Sequence, residues 1–167
     1  MMKRVLGIDP GIADTGFGVI DVTGSRYVHV HHGTIQTNPK SPTGERLSMI
    51  FDAVVELTRE YQPHYASVEC LYFAKNISSA LPVAQARGVV LLALHRHGIS
   101  AQEYTPQSIK QALVGYGKAD KRQVQEMVKV VLGMTGIPSP DHAADALAAA
   151  ICHANTAQFT QAALQGK

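Results

Sequence analysis

The chain has 167 residues, 46% of them apolar and 17% charged, with a formal net charge of +2. That composition excludes a disordered polymer and fits one globular domain large enough to bury a real core. No apolar run reaches the ~18 residues of a membrane span, and no small-residue cleavage site precedes the first strand pattern, so a cytoplasmic protein without signal peptide or membrane segment is expected.

Residues 4–9 read as a buried strand that ends on Asp9, just before a Pro10-Gly11 break. Residues 15–22 and 26–36 read as two more strands, with Gly24-Ser25 as a hairpin turn between them, which makes an antiparallel meander. Thr43 is a candidate cap for a helix over 44–61, where Leu47, Ile50, Val54 and Leu57 recur on one face and Pro63 stops the pattern. Residues 64–71 read as a fourth strand with Glu69 near its end. A helix then runs to about Arg96, apolar almost all round between Leu81 and Leu94. Such a helix is covered on two sides, here by its own sheet and by a second subunit, so helix 81–95 is the expected dimer contact. A fifth strand covers about 99–104. Thr105-Pro106 opens a helix that Gly115 and Gly117 break, Asp120 opens the next through about 132, and Ser139-Pro140 opens the last through about Asn155. The order predicts an α/β fold: a five-stranded mixed sheet, strands four and five parallel to strand one, with helices on both faces. A single domain over 1–156 is expected, with a frayed tail over 157–167.

The two cysteines, Cys70 and Cys152, lie in apolar segments at no metal-binding spacing and read as buried reduced thiols. From Lys75 to Lys129, eight cations face three acids, a local net charge of +5. A basic middle around an acidic centre suits a bound polyanion as well as it suits an ordinary solvated surface.

The acids carry the chemistry. Asp9 and Glu69 both fall at the C-terminal ends of neighbouring strands, the edge where open α/β sheets gather ligands. The last helix adds Asp141, His142 and Asp145; His142 and Asp145 are spaced i, i+3, Asp141 and Asp145 i, i+4, and either pair shares a face. Carboxylates converging from separate elements are what a hard divalent cation needs, and two such ions can activate a water and stabilise the leaving oxygen of a phosphodiester. Each residue also has a plainer reading. Asp9 fits a turn, Glu69 a strand-edge ion pair, His142 a core histidine, and Asp141 a first-turn acid favoured by the helix dipole.

Four segments in order, GIDPGIADTGFGVI, SVECLYFAKNISSALPVAQARGVV, YTPQSIKQALVGYGKADKRQVQEMV and DHAADALAAAICH, resemble the RuvC family of Holliday-junction resolvases over about residues 3–155. The resemblance implies a ribonuclease-H-like fold and a homodimeric endonuclease. It would nick four-way DNA junctions in symmetric pairs, leaving ligatable 5′-phosphate and 3′-hydroxyl ends, in recombination and repair. It implies two divalent ions per subunit on Asp9, Glu69, His142 and Asp145, with Asp141 as the fallback third ligand. Many members carry Asp where this chain has His142. A neutral imidazole favours Mn2+ relative to a carboxylate, so Mn2+ is expected to support cleavage at least as well as Mg2+. Tyr72 matches by position an aromatic that stacks on a junction base, with Phe73 beside it. Lys75, Arg87, Lys110, Lys118 and Lys121 match basic positions or segments that meet phosphate, and a branch-migration complex, RuvA-RuvB, is the implied partner. Two other readings are another nuclease of the same superfold and a catalytically dead junction-binding module. An actin-like kinase, which shares an Asp-x-Gly phosphate loop, needs a repeated second domain that 167 residues cannot hold.

Overall fold

The computed structural model describes residues 1–70 and 77–165, with side chains for 1–70 and 78–157. Apolar runs and alternation produce five strands: β1 (Lys3–Asp9), β2 (Asp14–Thr23), β3 (Arg26–Gln36), β4 (Tyr65–Glu69) and β5 (Ser100–Tyr104). They form one sheet in the order β3-β2-β1-β4-β5. β1, β2 and β3 pair antiparallel, while β4 lies parallel to β1 and β5 parallel to β4, as expected. The β2–β3 turn is Gly24-Ser25, with Gly24 at φ +56°, a conformation glycine adopts without steric cost.

Five helices cover the sheet: α1 (Thr43–Tyr61), α2 (Ile77–Arg96), α3 (Pro106–Val114), α4 (Lys121–Val131) and α5 (Asp141–Gln165). Successive residues of a strand point to opposite faces. Leu6, Ile8 and Val19 therefore pack with Ile50, Val54, Val90 and Leu94 under α1 and α2. Val5, Ile20 and Val22 pack with Ile109, Val128, Leu147 and Ile151 under α3, α4 and α5. Cys70 and Cys152 are free, buried thiols. No helix among the described residues is long and apolar enough to cross a membrane.

Helix ends follow local chemistry, with four differences from the sequence reading. The Thr105 hydroxyl accepts from the Ser108 N–H at 3.1 Å, and Asp120 with Gln123 forms a reciprocal capping box. At α1, Pro42 occupies the cap position and Thr43 is already helical. At α5, the Pro140 carbonyl accepts from the Ala143 and Ala144 N–H groups, so the helix opens at Pro140 and not at Ser139. β4 stops at Glu69 rather than at 71. α5 continues ten residues past Asn155, because 156–165 contains alanine, glutamine and leucine but no glycine or proline.

α2 is apolar on two sides, but only one side is covered. Ala86, Val90, Ala93 and Leu94 are buried, whereas Leu81 is 60% and Leu92 51% exposed. With Ala84 and Gly88, also exposed, they form an apolar stripe along the outer face.

Candidate active site

Asp9 ends β1 on the face that meets α5, two residues beyond Gly7 and paired with Gly16 across the ladder. Glu69 ends β4 on the same face, since Ser67, two residues earlier, donates to the Ala149 carbonyl of α5 at 2.6 Å. His142 and Asp145 descend onto them from the first turns of α5. Three glycines allow this approach. A Cβ on Gly7 would lie 1.9 Å from the Ala146 carbonyl oxygen, one on Gly16 1.9 Å from that of His142, and one on Gly18 2.7 Å from the Leu147 side chain. α5 therefore rests on bare backbone, and its Ala143, Ala144, Ala146, Ala149 and Ala150 are essentially inaccessible. In the sequence the alanine run of α5 carries this closeness; the glycines at 7, 16 and 18 carry the same message from the strand side and were not singled out. Nor was Thr15, wholly buried, whose hydroxyl donates to the Gly11 carbonyl at 2.6 Å and holds the loop after Asp9.

The side chains converge. The His142 Nδ1 lies 2.7 Å from Asp9 Oδ2, and ligand atoms of Asp9, His142 and Asp145 all fall within 4.8 Å of one another. Glu69 adjoins this group, near enough for its protonated carboxyl to donate to Asp9. Burial raises the Asp9 carboxyl above the ordinary carboxylate range, against the pull of His142. Burial first, then the charges of Asp9 and Asp145, pushes Glu69 up to about 8, with Lys121 opposing. Asp145 is also raised by burial, again against Lys121. Buried like charges at this density are unfavourable unless a cation joins them. The donor set, three carboxylates and one imidazole, fits a divalent ion.

Asp141 is turned away from this group. It is fully exposed, accepts from Gln125 at 3.1 Å and pairs with Lys121 at 3.0 Å, so it braces α5 against α4. Lys121 also reaches Asp145 at 3.5 Å, which places it at the mouth of the acidic group. Lys110 lines the adjoining cleft with Glu69, Lys121 and Asp145. Lys118 is exposed on the loop before α4. Arg87 pairs with Glu103 of β5. Tyr72, Phe73 and Lys75 lie outside the described residues.

A ribonuclease-H-like sheet order with strand-end carboxylates facing a helix N-terminus defines the class as metal-dependent nucleases and their kin. The particular family follows from direct comparison. The model of the family "Crossover junction endodeoxyribonuclease RuvC" matches residues 5–153, and the chain belongs to that family. It is 55% identical over 151 residues to the crossover junction endodeoxyribonuclease RuvC of Treponema denticola, covering 90% of this chain and 85% of that protein. It is 50% identical over 163 residues to the RuvC of Rubrobacter xylanophilus, covering 98% and 91%. Among solved structures, T. thermophilus RuvC in complex with a Holliday junction substrate superposes with a TM-score of 0.90 at 37% identity, covering 95% of this chain and 96% of that one.

Proposed function

We propose that this protein is a structure-selective endonuclease that resolves four-way DNA junctions by paired symmetric nicks, acting on cytoplasmic DNA in recombination and repair. The observation that carries this reading is the convergence of Asp9, His142 and Asp145 within 4.8 Å, beside Glu69, in a chain of the RuvC family. Asp9, Glu69, His142 and Asp145 would hold the divalent ions, two per subunit, Mg2+ or Mn2+. Divalent ions held there would supply Lewis-acid activation of a water and charge neutralisation at the departing 3′-oxygen of a phosphodiester.

The remaining chemistry belongs to the chain. Asp9 and Glu69, fixed on adjacent strands, supply rigid carboxylate ligands, and an incoming ion would displace the proton that Glu69 holds in the metal-free fold. The His142 imidazole binds only in its neutral form, and Asp9 orients it in the unloaded site. Lys121 shields Asp145 and Asp141 and stands where an incoming phosphate must pass, with Lys110 along the same cleft. Lys118 extends that basic side. Tyr72 or Phe73 stacks on an unpaired base at the crossover, a contact worth about 1–3 kcal/mol. Arg87, tied to Glu103, serves the DNA less directly than the other cations.

Symmetric nicking needs two sites related by a two-fold axis. The apolar stripe Leu81, Ala84, Gly88 and Leu92 of α2 is the surface that would bury against a second copy, and a branch-migration complex presents the junction. The test is Asp9→Asn on a synthetic mobile junction. Retained binding with lost cleavage supports the reading, and retained cleavage overturns the site.

A further inference from the structure

β3 carries three histidines, His29, His31 and His32, at the edge of the sheet opposite β5. Simple alternation would place His29 and His31 on one face and His32 on the other. The pairing register shifts at Val30: His31 stands opposite Val19, but His29 stands opposite Ile20 and His32 opposite Gly18. That bulge puts His29 and His32 on the α5 face together and leaves His31 on the far face, stacked on Tyr61 at 5.9 Å. The two rings meet edge to face, with His29 Nε2 2.7 Å from His32 Nδ1. Both rings are only partly buried, so the pair is reachable from solvent.

We propose that His29 and His32 form a binding site for a tetragonal, imidazole-preferring divalent ion, Cu2+ or Ni2+, distinct from the carboxylate site. The ligand type selects the ion class: imidazole suits Cu2+ and Ni2+, and Cu2+ heads the affinity order of the first-row divalent ions. The 2.7 Å contact is an N–H···N hydrogen bond that the ion would replace, the two rings turning so that both inner lone pairs meet it. Both imidazoles are held below their ordinary range, His29 by burial and then by His32 and His31, His32 by burial and His31 against the Ser139 backbone, which favours their neutral forms. Loading requires no net proton loss: the proton between the rings moves to the outer nitrogen of His29, and each inner nitrogen offers its lone pair. The Ser139 backbone also acts on the His32 ring and favours a proton on it. A carbonyl behind a ligating imidazole is the usual support of such sites. Water completes the coordination. Ser139 leads directly into α5, three residues before His142, so the ion would tie the outer strand to the segment that carries the catalytic helix start.

The test is a Cu2+ titration of the untagged protein in saturating Mg2+, read by electron paramagnetic resonance and by calorimetry. Wild type is expected to bind one Cu2+ with nitrogen splitting from two imidazoles, and His142→Ala to bind it equally well. His32→Gln and, independently, His29→Gln are each expected to weaken binding about tenfold or more. Metal-free melting curves establish that the variants are folded, and the second histidine serves if the first variant is not. Binding lost in His142→Ala but kept in both glutamine variants assigns the ion to the carboxylate site and overturns the proposal. So does a spectrum without two-nitrogen splitting, or no binding at all.

Discussion

Asp9 touches the chemistry from three directions. It meets His142 at 2.7 Å, lies within reach of the Glu69 carboxyl, and shares a ligand group with Asp145. Removing its charge while keeping its shape, as in Asp9→Asn, is expected to reduce junction cleavage by at least ~1,000-fold in a gel assay while junction affinity changes little. His142 occupies the position the fallback Asp141 would have filled, and His142→Asp is expected to raise Mg2+-supported cleavage relative to Mn2+-supported cleavage in initial-rate assays. Glu69 supplies a pH signature. Its carboxyl ionises near 4.5 in the unfolded chain but is pushed up to about 8 in the metal-free fold by burial and by Asp9 and Asp145. Between those values the folded state binds the extra proton, so metal-free stability falls as pH rises from about 5 to 8. Glu69→Gln is therefore expected to raise the metal-free melting temperature at pH 8 by several degrees and to leave it nearly unchanged at pH 5. Mg2+ should stabilise wild type more at pH 8 than at pH 5. Calorimetric scans at the two pH values check both.

The element that decides the site is α5, and what positions α5 is missing side-chain volume on β1 and β2. A methyl group at position 16 would fall 1.9 Å from the His142 carbonyl oxygen, which cannot be relieved by a side-chain rotation. Gly16→Ala is expected to cost about 1–3 kcal/mol in denaturant unfolding and to reduce cleavage further than the stability loss explains, because it lifts His142 off Asp9. Gly44→Ala is the control. It sits in the first turn of α1 with nothing within 4 Å, and should add up to about 1 kcal/mol. The two helix starts that diverged from expectation share one cause. At Pro42 and Pro140 a proline takes the half-helical position itself, and the neighbouring hydroxyl residue, Thr43 or Ser139, sits on one side of it or the other. Propensity names the proline and the hydroxyl as start signals, and only the backbone says which of them stands at the cap.

At the scale of the whole molecule, the proposed function joins the apolar α2 stripe to the one ligand group found among the described residues. One site makes one nick, and the two-fold pair needs a second copy. In analytical ultracentrifugation wild type is expected to sediment as a dimer and Leu92→Glu, placed on that stripe, as a monomer that has lost paired nicking, with the fold retained by circular dichroism. The meander, the parallel strands and the strand-end or helix-face positions of Asp9, Glu69, His142 and Asp145 were legible because each rests on short-range patterns, while the resemblance alone joined those four residues into one set. Apolar runs of strand length, a glycine hairpin, an i, i+3 pair on a helix and a carboxylate at each strand end are local patterns. The tertiary structure alone decided which first-turn residue of α5 faces Asp9, since Asp141 and His142 are adjacent and differ only by the ~100° rotation of one helical step. It also decided that Asp141 and Lys121 pair, that Arg87 is engaged by Glu103, and that a bulge at Val30 gathers His29 and His32 on one face. Those outcomes depend on how far one element slides or turns against another, a quantity set by packing against glycines and alanines distant in the chain.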